Sequence, residues 1–228
     1  MYNVAKKHFI GEYFIDPNIC DKLIELHSKI DLNDENPKAW FVKNKGVTGK
    51  GYDTKIKKSI DVSINPSAFY NPKVIGPSLK EEVKMLNEYW LALNNCFNQY
   101  GAELAAVSEA VRDPYETAPE RIHNGGDDLM SNLHIAEPPL IQHYEPGEGF
   151  FLWHHERGSP TRTRELVFMT YLNDVPDGGT EFLYQQLTIK ARKGKTVIWP
   201  ANYTHPHRGQ ISHKHEKYIM TGWLGYVD

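Results

Sequence analysis

Apolar and polar residues follow two rhythms along this chain, and the rhythm changes near residue 139. Before it the spacing is mostly helical. Asp16-Pro17 supplies an N-cap and an N1 proline for a helix with Ile19, Leu23, Leu26 and Ile30 on one face. A second stripe, Leu79, Val83, Leu86, Trp90, Leu93 and Phe97, advances by alternating fours and threes. It starts from the capping box Ser78-Leu79-Lys80-Glu81, and Gly101 is expected to stop it. A coiled-coil seam shares this spacing, but a helix packed against a sheet is its commoner use. Phe9 to Phe14 is short, aromatic and β-prone. Ser59 to Ile64 alternates strictly up to Asn65-Pro66, which predicts a strand with one buried face. Asp31 to Gly51 is polar and irregular. Between Gly101 and Ser131 a helix could continue over Ala102 to Val111, Asp113-Pro114 breaks it, and Asn124 to Asp128 is turn-like. This stretch reads equally as a lid or as a surface connection.

From Pro139 onward short β-like segments alternate with turns. The predicted strands are Leu140 to Tyr144, Phe150 to His154, Leu166 to Leu172, Leu187 to Ile189, Thr196 to Trp199 and Tyr218 to Tyr226. The predicted turns are Pro146 to Gly149, Pro176-Asp177-Gly178-Gly179 and Lys193-Gly194. Strands at this spacing indicate a sandwich or jelly roll. The expectation is an α+β, mainly β protein, one domain over residues 1–228. In it, 1–138 form a helical and minor-strand support and 139–228 the jelly-roll core.

Composition narrows the partners. A formal net charge of −3 over 228 residues lacks the concentrated positive charge that nucleic acid requires. The basic run Lys43 to Lys58 is broken by Gly and Asp and reads as a solvated loop. Cys20 and Cys96 sit in amphipathic helical stretches without CxxC spacing, so buried free thiols in a reducing compartment are expected. The first eight residues lack a signal-peptide core, and no 18-residue apolar run occurs. The expectation is a cytoplasmic protein with no membrane partner.

The candidate chemistry lies between Trp153 and Lys217. In His154-x-Glu156, alternation on a strand directs imidazole and carboxylate to one face and His155 to the other. One more imidazole completes a two-histidine, one-carboxylate facial site, whose three open positions suit non-haem Fe(II) oxygenases. His155-Glu156 cannot open a zinc-protease HExxH motif, because Ser159 holds the fifth position. For the second histidine, His205 and His207 compete, and Arg208-Gly209 after His207 permits close backbone approach to a ligand. Lys217, Ile219, Thr221 and Trp223 share a strand face, and a lysine directed into such a pocket suits a carboxylate.

In the order Tyr144, His154-x-Glu156, Tyr171-Leu172-Asn173, Gly178-Gly179, His207-x-Gly209, Lys217, Trp223, the chain resembles the Fe(II)- and 2-oxoglutarate-dependent dioxygenases. Its pattern is most similar to the prolyl 4-hydroxylase-like branch, including bacterial and bacteriophage homologues, and covers about Leu140 to Asp228. The resemblance implies a double-stranded β-helix with iron held by His154, Glu156 and His207. It implies that Lys217 pairs with the 5-carboxylate of 2-oxoglutarate, that Tyr144 hydrogen-bonds the co-substrate, and that Tyr171 and Trp223 line its pocket. The ten-residue step to Lys217 favours His207 over His205. One departure is Glu156, where the family usually has Asp; the presence of a carboxylate disfavours the halogenases of the superfamily. The implied activity is hydroxylation of a C–H bond, in a prolyl or other residue of a peptide or protein or in a small molecule. It consumes O2 and releases succinate and CO2, with ascorbate as accessory reductant. The rival readings are a non-catalytic jelly-roll metal-binding or structural module and a metal-dependent hydrolase or isomerase. Trp153, Arg157, Arg162 and Arg164 flank the predicted mouth; for Arg162 and Arg164 the competing reading is an edge-strand charge that blocks aggregation.

Overall fold

A computed structural model describes residues 8–32, 40–47, 51–70, 79–110 and 130–226. In chain order the elements are β1 (Gly11–Phe14), α1 (Pro17–Lys29), β2 (Phe41–Lys45), β3 (Lys57–Lys58), β4 (Ile60–Ile64), the single turn α2 (Ser67–Tyr70) and α3 (Lys80–Ala110). There follow β5 (His134–Ile135), β6 (Leu140–Tyr144), β7 (Gly149–Phe150), a 3-10 turn at Ser159–Thr161, β8 (Arg164–Tyr171) and β9 (Val175–Phe182). β10 (Leu187–Ala191), β11 (Lys195–Pro200), β12 (His207–Gly209) and β13 (Lys217–Gly225) complete the described chain.

The main sheet runs in the order β1-β11-β8-β13-β6-β4-β2, with β5 paired to one end of β13. A second sheet, β10-β9-β12, faces it, and β3 pairs with β7. Every strand pair is antiparallel. The architecture is α+β and mainly β, a jelly roll with helices on the outer face of its main sheet.

Alternation on the central strands makes two separate cores. Leu166 and Phe168 of β8, Ile198 of β11 and Met220 and Leu224 of β13 point outward, against Leu23 of α1 and Leu86, Tyr89, Leu93 and Phe97 of α3. Val167, Met169 and Tyr171, with Val197, Trp199, Ile219 and Trp223, point inward against Val175, Phe182 and Ile189 of the second sheet. The functional side chains occupy the open end of this inner layer.

The Asp16-Pro17 start is confirmed: the Asp16 carboxylate accepts from the Asn18 N–H at 2.9 Å. The α3 stripe packs on the sheet, as the non-coiled-coil reading expects. Ser78 of the predicted capping box lies outside the described residues, as do 111–129 of the lid-like stretch. Gly101 does not stop α3. It is buried mid-helix, and its intrinsic cost of about 1 kcal/mol is offset by helix formers after it and by Leu104 packing on the core.

Three further expectations are corrected. The polar stretch and the basic run contain β2, which completes the sheet beside β4 with Phe41 buried. β4 does not bury one face only: Asp61 is buried because the Lys57 ammonium (2.6 Å), the Ser59 hydroxyl (2.8 Å) and the Gln142 amide (3.3 Å) all donate to it. Pro176 to Gly179 is not a turn but a bulged part of β9: β10 pairs Thr180 with Ile189 and Val175 with Ala191, leaving those four residues looped between.

Both cysteines are free and buried, as expected. Among the described residues no helix is long and apolar enough to cross a membrane.

Candidate metal centre

His154 and His207 face each other across an isolated antiparallel bridge. The His154 N–H donates to the His207 carbonyl (3.0 Å) and the His207 N–H to the His154 carbonyl (2.8 Å). The predicted strand Phe150 to His154 is reduced to β7 and this bridge, because Phe151 N–H bonds instead to Ile56. Glu156 is tied back by its own N–H to Ala201 (3.0 Å). The convergence expected from i, i+2 alternation therefore survives without a regular strand. Glu156 Oε1 lies 3.4 Å from His154 Nε2 and 3.5 Å from His207 Nε2. The three ligand atoms fall within 4.8 Å of one another.

Each imidazole is oriented through its other nitrogen. His154 Nδ1 meets the Leu152 carbonyl at 2.9 Å and His207 Nδ1 meets the His205 carbonyl at 3.0 Å. A carbonyl can only accept, so each Nδ1 carries a proton, and each Nε2, turned toward Glu156, offers a lone pair once the ring is neutral. This is how metal-binding histidines are usually held. His205 is used differently: Nε2 contacts the His8 carbonyl (2.7 Å) and Nδ1 the Thr204 hydroxyl (2.8 Å), so neither nitrogen is free. His155 is exposed and outside the cluster.

Burial of Glu156 would raise its pKa, but hydrogen bonds and charge from His154 and His207 in their protonated form outweigh this and hold the carboxyl well below the usual range. Burial lowers the pKa of His207, with Glu156 opposing. An anionic carboxylate beside two neutral imidazoles is the donor set that a divalent transition metal takes. Phe150 stacks on His154 (centroids 3.6 Å), and Trp199 meets His207 edge-on at 5.0 Å. Trp199 thus packs in the core and braces a ring of the cluster.

Lys217 begins β13 opposite Tyr144. Its ammonium is buried and donates to the Gln210 carbonyl (3.0 Å) and the Gly178 carbonyl (3.3 Å), 5.2 Å from the Tyr144 ring centre. Both acceptors are neutral, which leaves the third N–H for an anion. Burial pulls its pKa down to about 8, partly opposed by Asp177. The β9 bulge supplies the Gly178 carbonyl. Gly209 leaves room here, since a Cβ would lie 3.1 Å from the Lys217 nitrogen and push the ammonium aside by a few tenths of an ångström.

The other pocket residues follow the expected parity. The Tyr144 hydroxyl donates to Gln142 Oε1 at 2.6 Å. The Tyr171 hydroxyl pairs with Thr180 at 2.6 Å, joining the two sheets. Trp223 is buried, and its indole N–H has no hydrogen-bond partner among the described residues. Of the mouth residues, Trp153 is exposed and stacks under Arg208 (4.5 Å), and Arg157 pairs with Glu165 at 2.8 Å. Arg164 does not guard an edge, because β8 lies between β11 and β13. Its side chain turns inward to Glu156, a contact that sequence reasoning missed: strict alternation would place Arg164 on the outer face with Leu166, and the register shift between Leu224 and Gly225 opposite it breaks that alternation.

Residues 139–225 match the sequence model of the 2OG-Fe(II) oxygenase superfamily. No curated protein matches the chain. Among solved structures it is similar to a Pseudomonas putida prolyl-4-hydroxylase, with TM-score 0.58 and 13% identity over 96% of this chain and 93% of that one. It is similar to a viral collagen prolyl hydroxylase from Paramecium bursaria Chlorella virus-1, solved as its 2OG complex (0.56, 16%, 96% and 96%). It is also similar to a Trichoplax adhaerens prolyl hydroxylase in complex with a hypoxia inducible factor peptide fragment (0.61, 11%, 98% and 86%). At these identities the likeness is one of fold.

Proposed function

We propose that this chain, whose residues 139–225 belong to the 2OG-Fe(II) oxygenase superfamily, holds Fe(II) through Nε2 of His154, Nε2 of His207 and one oxygen of Glu156. Lys217 pairs with the far carboxylate of 2-oxoglutarate. The reaction is hydroxylation of a C–H bond in a prolyl or other residue of a peptide, using O2 and releasing succinate and CO2. The observation that carries this reading is the pair of Nε2 atoms turned to one carboxylate oxygen, with both Nδ1 atoms already committed to carbonyls.

Bound there, the metal with 2-oxoglutarate and O2 supplies the oxidising power that turns C–H into C–OH as the co-substrate loses CO2. The side chains orient and exclude. Lys217 fixes the far end of the co-substrate, while Tyr144, Tyr171 and Trp223 line its pocket. Phe150 and Trp199 keep water from the backs of the two imidazoles. No side chain is needed as a general base.

A peptide substrate is supported by the rim. Leu152 and Trp153 precede His154 and are exposed, as are Leu183, Tyr184 and Tyr203. Leu183 N–H to the Pro206 carbonyl (2.9 Å) and the Gln185 amide to the Thr204 carbonyl (2.9 Å) bind the β9–β10 turn to the segment that leads into His207. An extended chain crossing this rim would meet apolar side chains beside the metal. The Trichoplax relative's peptide complex supports the same reading.

Purified protein given Fe(II), ascorbate and 2-oxoglutarate should release succinate, slowly even without substrate, and His154→Ala should abolish the release. No succinate across candidate peptides, with tight zinc occupancy, would leave the non-catalytic metal module as the better account.

A further inference from the structure

Glu156 is fixed by more than the two histidines. Its second oxygen, Oε2, accepts from Arg164 Nη1 at 2.9 Å, on the side away from the imidazoles. Arg164 in turn is gripped by Glu137, which accepts from Nε and Nη2 through its two oxygens at 2.5 Å each. The guanidinium lies 3.7 Å over the Trp223 ring, with only 12% of its side chain exposed. The Glu156 carbonyl accepts from Thr161 Oγ1 at 2.7 Å and from Arg164 Nη1 at 3.4 Å.

We propose that Arg164, locked by Glu137 and Trp223, is a positioning residue that makes Glu156 a one-oxygen ligand. The inference rests on the metal-binding reading above. A carboxylate with both oxygens free can chelate a metal and take a coordination position that the co-substrate and O2 would otherwise share. With Oε2 held by a charged donor, only Oε1 faces the two Nε2 atoms. The arrangement needs arginine: all three of its nitrogens donate, Nε and Nη2 as a fork toward Glu137 and Nη1 toward the Glu156 carboxylate and carbonyl, which a lysine point charge cannot reproduce. It also accounts for glutamate at this position. The extra methylene, about 1.5 Å of reach, is what lets one carboxylate touch both the imidazole pair and Arg164. An aspartate on the same backbone, kept at the imidazole pair by the metal, would withdraw from Arg164.

The test is a double-mutant cycle on metal affinity, with Co(II) as the probe, titrated calorimetrically and by its visible d–d bands. Arg164→Met should weaken Co(II) binding roughly 10- to 100-fold, as loss of an outer hydrogen-bond partner to a ligand does. It should also change the d–d band intensity as Oε2 joins the metal. In the E156D background the same Arg164→Met change should cost less than about 3-fold, because the shorter arm has already left the arginine. Glu137→Gln keeps Arg164 in place with a looser grip. It should give a smaller loss with the same spectral direction, and it covers the case that Arg164→Met fails to fold. Equal costs of Arg164→Met in both backgrounds would overturn the proposal, as would Arg164→Met and Glu137→Gln spectra that match the unmutated protein. Failure of the unmutated protein to bind Co(II), or retention of binding in His154→Ala, would instead sink the metal-centre reading itself.

Discussion

The two faces of β8 and β13 use the same alternation for opposite ends. On the outer face, polar groups are spent within the protein: Thr170 bonds to Tyr89 (3.1 Å) and to Thr196 (2.8 Å), and the remainder is closed hydrocarbon against α1 and α3. On the inner face, polar capacity is left over. Among the described residues Lys217 has only carbonyl hydrogen-bond partners, and the buried indole N–H groups of Trp199 and Trp223 have none. Buried polar groups normally find partners, so a layer that holds several in reserve is one prepared for a ligand. One face stores stability, and the other gives some up for binding.

The strongest way to break this contrast is Phe168→Ala. Phe168 is fully buried on the outer face and meets Phe97 edge-to-face at 5.7 Å. The cavity should cost about 3–5 kcal/mol in unfolding free energy, read as a fall in denaturation midpoint. Metal affinity of the folded protein should stay unchanged; a large loss of affinity would mean the faces are not separable.

Lys217→Ala tests the other side. Removing one partner of a buried charge pair costs about 2–5 kcal/mol, so 2-oxoglutarate affinity should fall by about 30-fold or more while Fe(II) binding is retained. Loss of iron would make Lys217 a structural residue.

The pH dependence follows from the same lysine. Burial lowers its pKa from 10.5 to about 8, and only the protonated form attracts a carboxylate. Affinity of the unmutated protein for 2-oxoglutarate should therefore be full below pH 8 and fall as pH rises through it. That slope should vanish in Lys217→Ala.

A smaller change is expected from Tyr171→Phe, which removes the Thr180 bond that joins the two sheets. The loss should be about 0.5–1.5 kcal/mol in stability, with 2-oxoglutarate affinity lowered only a few-fold. A loss as large as that of Lys217→Ala would make the hydroxyl a direct co-substrate contact.

Much of the fold could be read from local pattern. Leu140–Tyr144 was legible as β6 without adjustment, and Leu166 to Leu172 and Thr196 to Trp199 lie on or within a residue of β8 and β11, because the pattern of neighbouring side chains marks a strand, here as short apolar runs buried on both faces. The pair His154-x-Glu156 and the shared face of Lys217 and Trp223 were legible for the same reason. β2 was not, since its lysines and asparagine resemble a loop until β4 lies beside them. Nor was the β9 bulge, whose Pro-Asp-Gly-Gly sequence carries every local mark of a turn.

What the sequence determined alone was the set of candidate donors and the face each one shares with its neighbours. Periodicity acts over a few residues, and that is as far as it reaches. Tertiary structure decided which donors are free. His205 is spent on His8 and Thr204, whereas His207 keeps Nε2 open, and Arg164 becomes a brace for Glu156 rather than an edge charge. Those outcomes depend on hydrogen-bond partners up to about two hundred residues away in the chain, and only folding brings them within 3 Å.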